Sequence, residues 1–234
     1  MKIKYQSVLK TIATGLLLAV LLIAEREQWR AANNSSVVQG EPKVRVVIDA
    51  GHGGIDPGKI GINGALEKDI NLQIALLVKE YLEAQDVEVV MTRETEEGLY
   101  DADASNKKVQ DMKRRVEIIE SAKPDVTVSI HQNSYHEEYV HGAQTFYYTG
   151  SEQSKILAEK IQRVLLNGVD KDNTREAKAN DSYYLLKKTS SPIVIVECGF
   201  LSNRDEAQKL DSDYYQEKLA WAIHMGILQY LNEL

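Results

Sequence analysis

A chain of 234 residues, 43% hydrophobic, carries enough apolar material for one sizeable core and leaves little room for a second domain. Its formal net charge of -7, with 28 Lys+Arg scattered among 35 Asp+Glu, argues against a nucleic-acid footprint. The single cysteine, Cys198, excludes an intrachain disulfide and a Cys-rich zinc knuckle, so any metal must be held by histidine and carboxylate.

In chain order, Lys2, Lys4 and Lys10 precede an apolar run, IATGLLLAVLLIA, from Ile12 to Ala24. This reads as an export signal or anchor over residues 1–24. Counting back to Val8 past Lys10, whose amine can snorkel, gives a segment approaching the ~20 residues that span a bilayer. No A-x-A site precedes Glu25, which favours an uncleaved anchor over a cleaved signal peptide. The flanking lysines place the N-terminus in the cytoplasm and the remainder, anchored at the membrane, outside it. Residues 25–42 are polar and aperiodic and read as a linker; the folded domain, 43–234, begins near Lys43.

Val46, Val47 and Ile48 form a β-branched run that stops at the glycines around His52, the pattern of a buried strand entering a loop. Glu67 opens a helical pattern of Ile70, Ile74, Leu77, Val78, Tyr81 and Leu82, so its carboxylate lies in a first turn. A second strand is expected over Val87–Arg93 and a loop over Glu94–Lys107. A helix carrying Val109, Met112, Val116 and Ile119 follows. The third strand, Val126–Asn133, ends at His131. A fourth is Gly142–Tyr148, followed by a helix from about Ser151 to Leu166. A short strand is expected near Tyr184–Lys187, then the apolar strand Ile193–Gly199 ending at Glu197, and a last helix from about Asp213 to Asn232.

Apolar strands alternating with helices describe a single α/β domain, its central sheet mostly parallel or mixed, with helices on both faces. Ligands bind beyond the carboxyl ends of such strands, so the topology alone gathers His52, His131 and Glu197 on one rim.

Two histidines and a carboxylate suffice for a catalytic zinc that keeps one position open for water, and His52, Glu67 and His131 fit that role. Zinc lowers the pKa of bound water toward ~7, and a carboxylate that is not a ligand takes the proton. Glu197 is the natural base, because an acid inside IVIVECGF is costly to bury without a task. Asp49 is expected to orient a ligand histidine. Blander readings stand beside these: His52 as an ordinary loop residue, and Glu67 as an acid favoured by the helix dipole. His136 and His141 read as solvated, and His224 as packed. Cys198 reads as a small buried hydrophobe facing away from Glu197, and Arg93 and Arg115 as partners of acids.

Gly53–Lys59 matches the first seven positions of the phosphate-binding pattern G-x-x-x-x-G-K-[ST], but Ile60 supplies no hydroxyl and Gly61 and Gly64 delay the helix. That reading is set aside. A wall-binding module without turnover is the runner-up to an enzyme.

The segments IDAGHGGIDPG, the following Glu67, SIHQN and VECGFLSN stand in the order and spacing of a known family. Over Val44 to about Leu231 the chain resembles the zinc-dependent N-acetylmuramoyl-L-alanine amidases of the amidase-3 type. The resemblance implies zinc at His52, Glu67 and His131, with Glu197 matching the essential catalytic glutamate. It also implies cleavage of the amide between the muramic-acid lactyl group and the L-alanine of the peptidoglycan stem peptide. Gln132, the Ile119-Glu120 pair and Glu176 after Arg175 depart from the family pattern, and are expected to alter substrate contacts more than metal chemistry. An anchored single-domain amidase resembles the germination-specific enzymes of endospore formers, which implies muramic-δ-lactam formation in spore cortex. Targeting is then expected from the anchor or an accessory or activator protein. The ten residues between His131 and Gly142 are too few for a covering helix, so the site should be open unless the Glu94–Lys107 loop or a partner covers it.

Overall fold

The β-branched runs read from the sequence become the centre of one sheet. The computed structural model describes residues 44–233. The anchor and linker expectations, and the domain's start at Lys43, fall outside the described residues. Six strands, β1 (Arg45–Ala50), β2 (Glu88–Met91), β3 (Val126–Asn133), β4 (Gln144–Tyr147), β5 (Lys178–Ala179) and β6 (Ile193–Phe200), run in the order β2-β1-β3-β6-β4-β5. Strands β2, β1, β3 and β6 are mutually parallel, and β4 pairs antiparallel to β6, making the sheet mixed. His131 and Glu197 are direct cross-strand neighbours on β3 and β6, with a register shift just beyond them, between His131 and Asn133.

The helices are α1 (Glu67–Glu83), α2 (Lys107–Ala122), α3 (Glu152–Gly168), α4 (Tyr184–Lys188), α5 (Arg204–Leu210) and α6 (Asp213–Leu231). Successive strand residues point to opposite faces, so each strand serves two cores. Val46, Ile48, Val128, Ile130, Val194 and Val196 pack with α1, α3 and α6 into the larger one. Val47, Ile193 and Ile195 join Ile119, Leu185 and Leu186 of α2 and α4 in the smaller. Each fully buried aliphatic side chain contributes about 1.5–3 kcal/mol. Cys198 faces the larger core, on the side away from Glu197, as expected. Among the described residues no helix is long and apolar enough to cross a membrane.

Side-chain caps begin several helices: Asn106 accepts the Val109 N–H, Ser151 that of Ser154, and Asn203 that of Glu206. The strand expected near Tyr184–Lys187 is instead helix α4. The Asn180 side chain accepts the N–H groups of Ser182 and Tyr183, turning the chain, and Lys187 and Lys188 favour the helix C-terminus. Leu185 and Leu186 are both buried, so the adjacent apolar pair gave no period to tell helix from strand. Helix α5 and the two-residue β5 were also unforeseen.

The face shared with α2 carries a buried charge cluster. Arg115 donates to Asp49 at 2.6 Å and to Asp111 at 2.5 Å, and Asp49 also accepts from Thr92 and Ser129. Burial would raise the Asp49 carboxyl, but Arg115 and the two hydroxyls bring it down to about 2, from an ordinary 3.8. A depressed carboxyl stabilises the fold above its unfolded pKa and loses that contribution as pH falls through the folded one. Stability should therefore drain between about pH 4 and about pH 2. Asp49→Asn is expected to cost about 3–5 kcal/mol at neutral pH, by removing one of the two carboxylates that offset the buried Arg115, and to flatten that acid limb. Urea unfolding followed by circular dichroism at stepped pH checks both.

Candidate active site

Glu67 is the first residue of α1, and its carboxylate is buried. The loop before it and strand β3 hold the carboxylate between them: the Lys59 N–H donates to Oε2 at 2.7 Å and the Gln132 N–H of β3 to Oε1 at 3.1 Å. At Gly58, φ is 68°, and a Cβ there would lie 2.5 Å from Glu67 Oε2, so only glycine fits. The segment that matched a phosphate loop thus cradles the protein's own carboxylate.

Both imidazoles reach the same oxygen of Glu67. His52 Nε2 lies 3.2 Å from Oε1 and His131 Nδ1 3.0 Å from it, with the two rings edge to face. Burial would push the Glu67 carboxyl up, but its hydrogen bonds with His131 and His52 hold it well below the usual carboxylate range. His131 is lowered by burial and raised by Glu67, with a net rise. The ligand atoms of the three residues lie within 4.8 Å of one another, and they form the His/carboxylate cluster suited to a metal among the described residues. The two histidine-to-Glu67 spacings, 3.2 and 3.0 Å, are those of neighbouring ligand atoms, and the mixed N/O donor set suits zinc. The residues present fit such an ion.

His52 sits in the left-handed region, φ 62°, uncommon for a residue with a Cβ. Two buried guanidiniums hold it there. Arg115 donates to the carbonyls of Ala50 and His52, and Arg93 to those of Ala50, Gly51, Lys68 and Thr95. Arg115 pairs with acids as the sequence suggested, whereas Arg93 is tied by carbonyls alone. Burial, reinforced by the charge of Arg115, lowers Arg93 to about 10, leaving it charged at neutral pH. Gly51 lies against the His131 ring, where a Cβ would meet Cε1 at 2.3 Å.

The expectation for Asp49 is corrected. Its carboxylate is occupied by Arg115, Thr92 and Ser129 and hydrogen-bonds neither histidine. The orienting carboxylate is Asp56, whose Oδ2 lies 3.1 Å from His52 Nδ1 and 3.2 Å from Lys108 Nζ on α2. Glu197 is buried across the strand pair from His131. Its Oε1 accepts the Tyr183 hydroxyl at 3.0 Å, while Oε2 is buried without a partner among the described residues. Burial raises the Glu197 carboxyl and the charge of Glu67 adds to this, against the opposing pull of His131. Tyr183 belongs to no pattern the sequence reading used, and Asp56, although inside IDAGHGGIDPG, was given no role there. His136 and His141 are exposed, and His224 packs against Tyr81, as read.

A cleft of about 310 Å³ opens beside the histidines, walled by Tyr100, Met112, Tyr183, Leu185 and Ile195. The segment between β3 and β4 holds no helix, and His52 and His131 each keep 21% side-chain exposure, so among the described residues the site is open as expected. The loop after β2 borders the site without covering it: Glu96 and Tyr100 accept the N–H groups of Gly54 and Ile55.

Residues 46–229 match the profile of the Amidase_3 family, described as N-acetylmuramoyl-L-alanine amidase. The chain belongs to this family. The amidase is 37% identical over 191 residues to the germination-specific N-acetylmuramoyl-L-alanine amidase of Bacillus subtilis, covering 80% of each chain. Among solved structures it is similar to the CwlD amidase from Clostridioides difficile in complex with the GerS lipoprotein. There the TM-score is 0.80 and the identity 43%, over 82% of this chain and 100% of that one. It is also similar to the amidase AmiC2 of Nostoc punctiforme, with TM-score 0.71 and 35% identity over 82% and 99% of the two chains.

Of the departures from the family pattern in this amidase, Gln132 and Ile119 are buried and Glu120 and Glu176 are exposed. Gln132 is buried and donates to Asn71, which in turn holds the Gly51 carbonyl. Ile119 is core, and Glu120 accepts both the N–H and hydroxyl of Ser190. Glu176 is exposed, its carbonyl taken by Gln144. Removing the Asp56 carboxylate should leave the fold intact and free the His52 ring. Asp56→Ala is expected to weaken metal binding about 10–100-fold, measured by competitive metal titration of the purified protein.

Proposed function

We propose that this amidase uses one zinc ion, held by His52, Glu67 and His131, with Glu197 as general base, to hydrolyse the amide between N-acetylmuramic acid and L-alanine. The observation that carries the reading is the convergence of two imidazoles on one buried carboxylate oxygen beside a second carboxylate, partly unpartnered, on the neighbouring strand. When bound, zinc supplies Lewis acidity toward the scissile carbonyl and the attacking water. Glu197, whose carboxyl burial raises, takes the proton of the water and returns it to the departing alanine nitrogen. Asp56 fixes the His52 ring. The cleft beside the histidines, lined by Lys108, Asp111, Met112 and Arg115 of α2 and by Tyr184 and Leu185 of α4, receives the substrate.

The likeness to the germination-specific enzyme supports spore-cortex peptidoglycan as the substrate, its stem peptides removed in preparation for muramic-δ-lactam formation. The basic and apolar N-terminal segment supports action outside the cytoplasm, with residues 1–24 as anchor or signal, 25–42 as linker and 43–234 as the catalytic domain. The relative solved with a lipoprotein supports an accessory partner for this chain also.

Digestion of cortex and vegetative peptidoglycan, with released fragments identified by mass spectrometry, tests the reaction and the substrate. Free stem peptides beginning with L-alanine, more abundant from cortex, are expected. Cuts within the peptide or glycan would overturn the assignment. Glu197→Gln should lose about 10²- to 10⁴-fold in rate while retaining zinc, whereas His52→Ala and His131→Ala should lose zinc and activity together. Metal analysis beside turnover separates these roles: a folded but zinc-free Glu197→Gln protein would make Glu197 a ligand.

A further inference from the structure

We propose that Tyr183 is a positioning residue for Glu197, fixing one carboxylate oxygen so that the other is the one that accepts the proton of the attacking water. The inference rests on Glu197 as the base. The Tyr183 hydroxyl donates to Oε1 at 3.0 Å, and Oε2 is left buried with no partner among the described residues. A buried carboxylate oxygen without a donor is costly, and such an atom beside a reaction centre is explained by a task. The terminal torsion of a glutamate is soft and roughly two-fold, so without the phenol the two oxygens would exchange places freely.

The phenol is held by its own surroundings. Asn180 accepts the Tyr183 N–H at 3.1 Å, the buried Leu185 and Leu186 anchor the helix that follows, and the Tyr183 ring stands edge-on to Phe146 at 5.6 Å. The ring therefore reaches Glu197 from a fixed place. Burial and the nearby Glu197 charge push the Tyr183 hydroxyl well above its ordinary pKa, so it keeps its proton and serves only as a donor. The proton balance of the reaction is unchanged: Glu197 carries one proton from water to the leaving nitrogen, and Tyr183 gives none up. Tyr183 also lies in the cleft wall with His52 and His131.

Tyr183→Phe removes the hydroxyl and keeps the ring. On a soluble muropeptide, kcat should fall about 10- to 100-fold, the loss for a hydrogen bond to a charged group. KM, zinc content and melting temperature should match the wild type. In a Glu197→Asp background, whose shorter side chain withdraws the carboxylate, the same change should cost no more than about twofold. An unchanged kcat, a rise in KM alone, a loss of zinc or melting temperature, or the full loss repeated in the Glu197→Asp background would each overturn the inference. Glu197→Gln, assayed in parallel, keeps the two readings apart. If it is inactive while Tyr183→Phe is fully active, only the role of Tyr183 fails. If Glu197→Gln itself turns over normally, the base assignment fails and the inference with it.

Discussion

Two buried guanidiniums set against the end of the first strand are the constraint on which the site depends. Arg115 and Arg93 together saturate the carbonyls of Ala50, Gly51 and His52, turning the chain into the left-handed step that presents the His52 ring. A carbonyl run leaving a buried strand must find donors, and here they are charged, roughly doubling the strength of each bond. The charges themselves need offsetting, which Asp49 and Asp111 do for Arg115. The turn, the ion cluster and the histidine form one unit, in which no member keeps its geometry without the others.

The sheet divides labour between its faces. One face, covered by α1, α3 and α6, is almost wholly apolar. The other shows Asp49, Thr127, Ser129, His131 and Glu197 along with its aliphatic residues, under the thinner cover of α2 and α4. Polar side chains on a buried face must pair with one another or open to a cleft. Near the strand centres they pair, as Ser129 does with Asp49; at the carboxyl ends they open to the cleft. The same alternation that places Cys198 in the larger core therefore turns Glu197 toward the histidines.

How much of this was legible in the sequence follows from the range of each interaction. The strands ending at His52, His131 and Glu197 were readable because buried parallel strands are continuous apolar runs, and their shared rim follows from topology. Glu67 was readable as the start of a helical period. Asp56 was not, since nothing local distinguishes an aspartate that turns to a histidine four residues away from one that caps a turn. Asp49, nearer in sequence, was the wrong choice, because strand alternation sends it under α2 and toward Arg115. Tyr183 was hidden by the misread strand at Tyr184–Lys187: as the residue before a helix it faces Glu197, a direction no two-residue period supplies.

The edge of the sheet has a bearing on self-association. Strand β5 is only Lys178 and Ala179, both exposed, and it closes the side where β4 would otherwise offer its backbone to any extended chain. A neighbouring copy arriving there meets a two-residue ledge bearing a lysine, too short to template a ladder and carrying a charge that repels its own kind. The catalytic rim is reached from beyond the strand ends, so this blunted border costs the cleft nothing while denying the sheet a route to edgewise stacking into fibres.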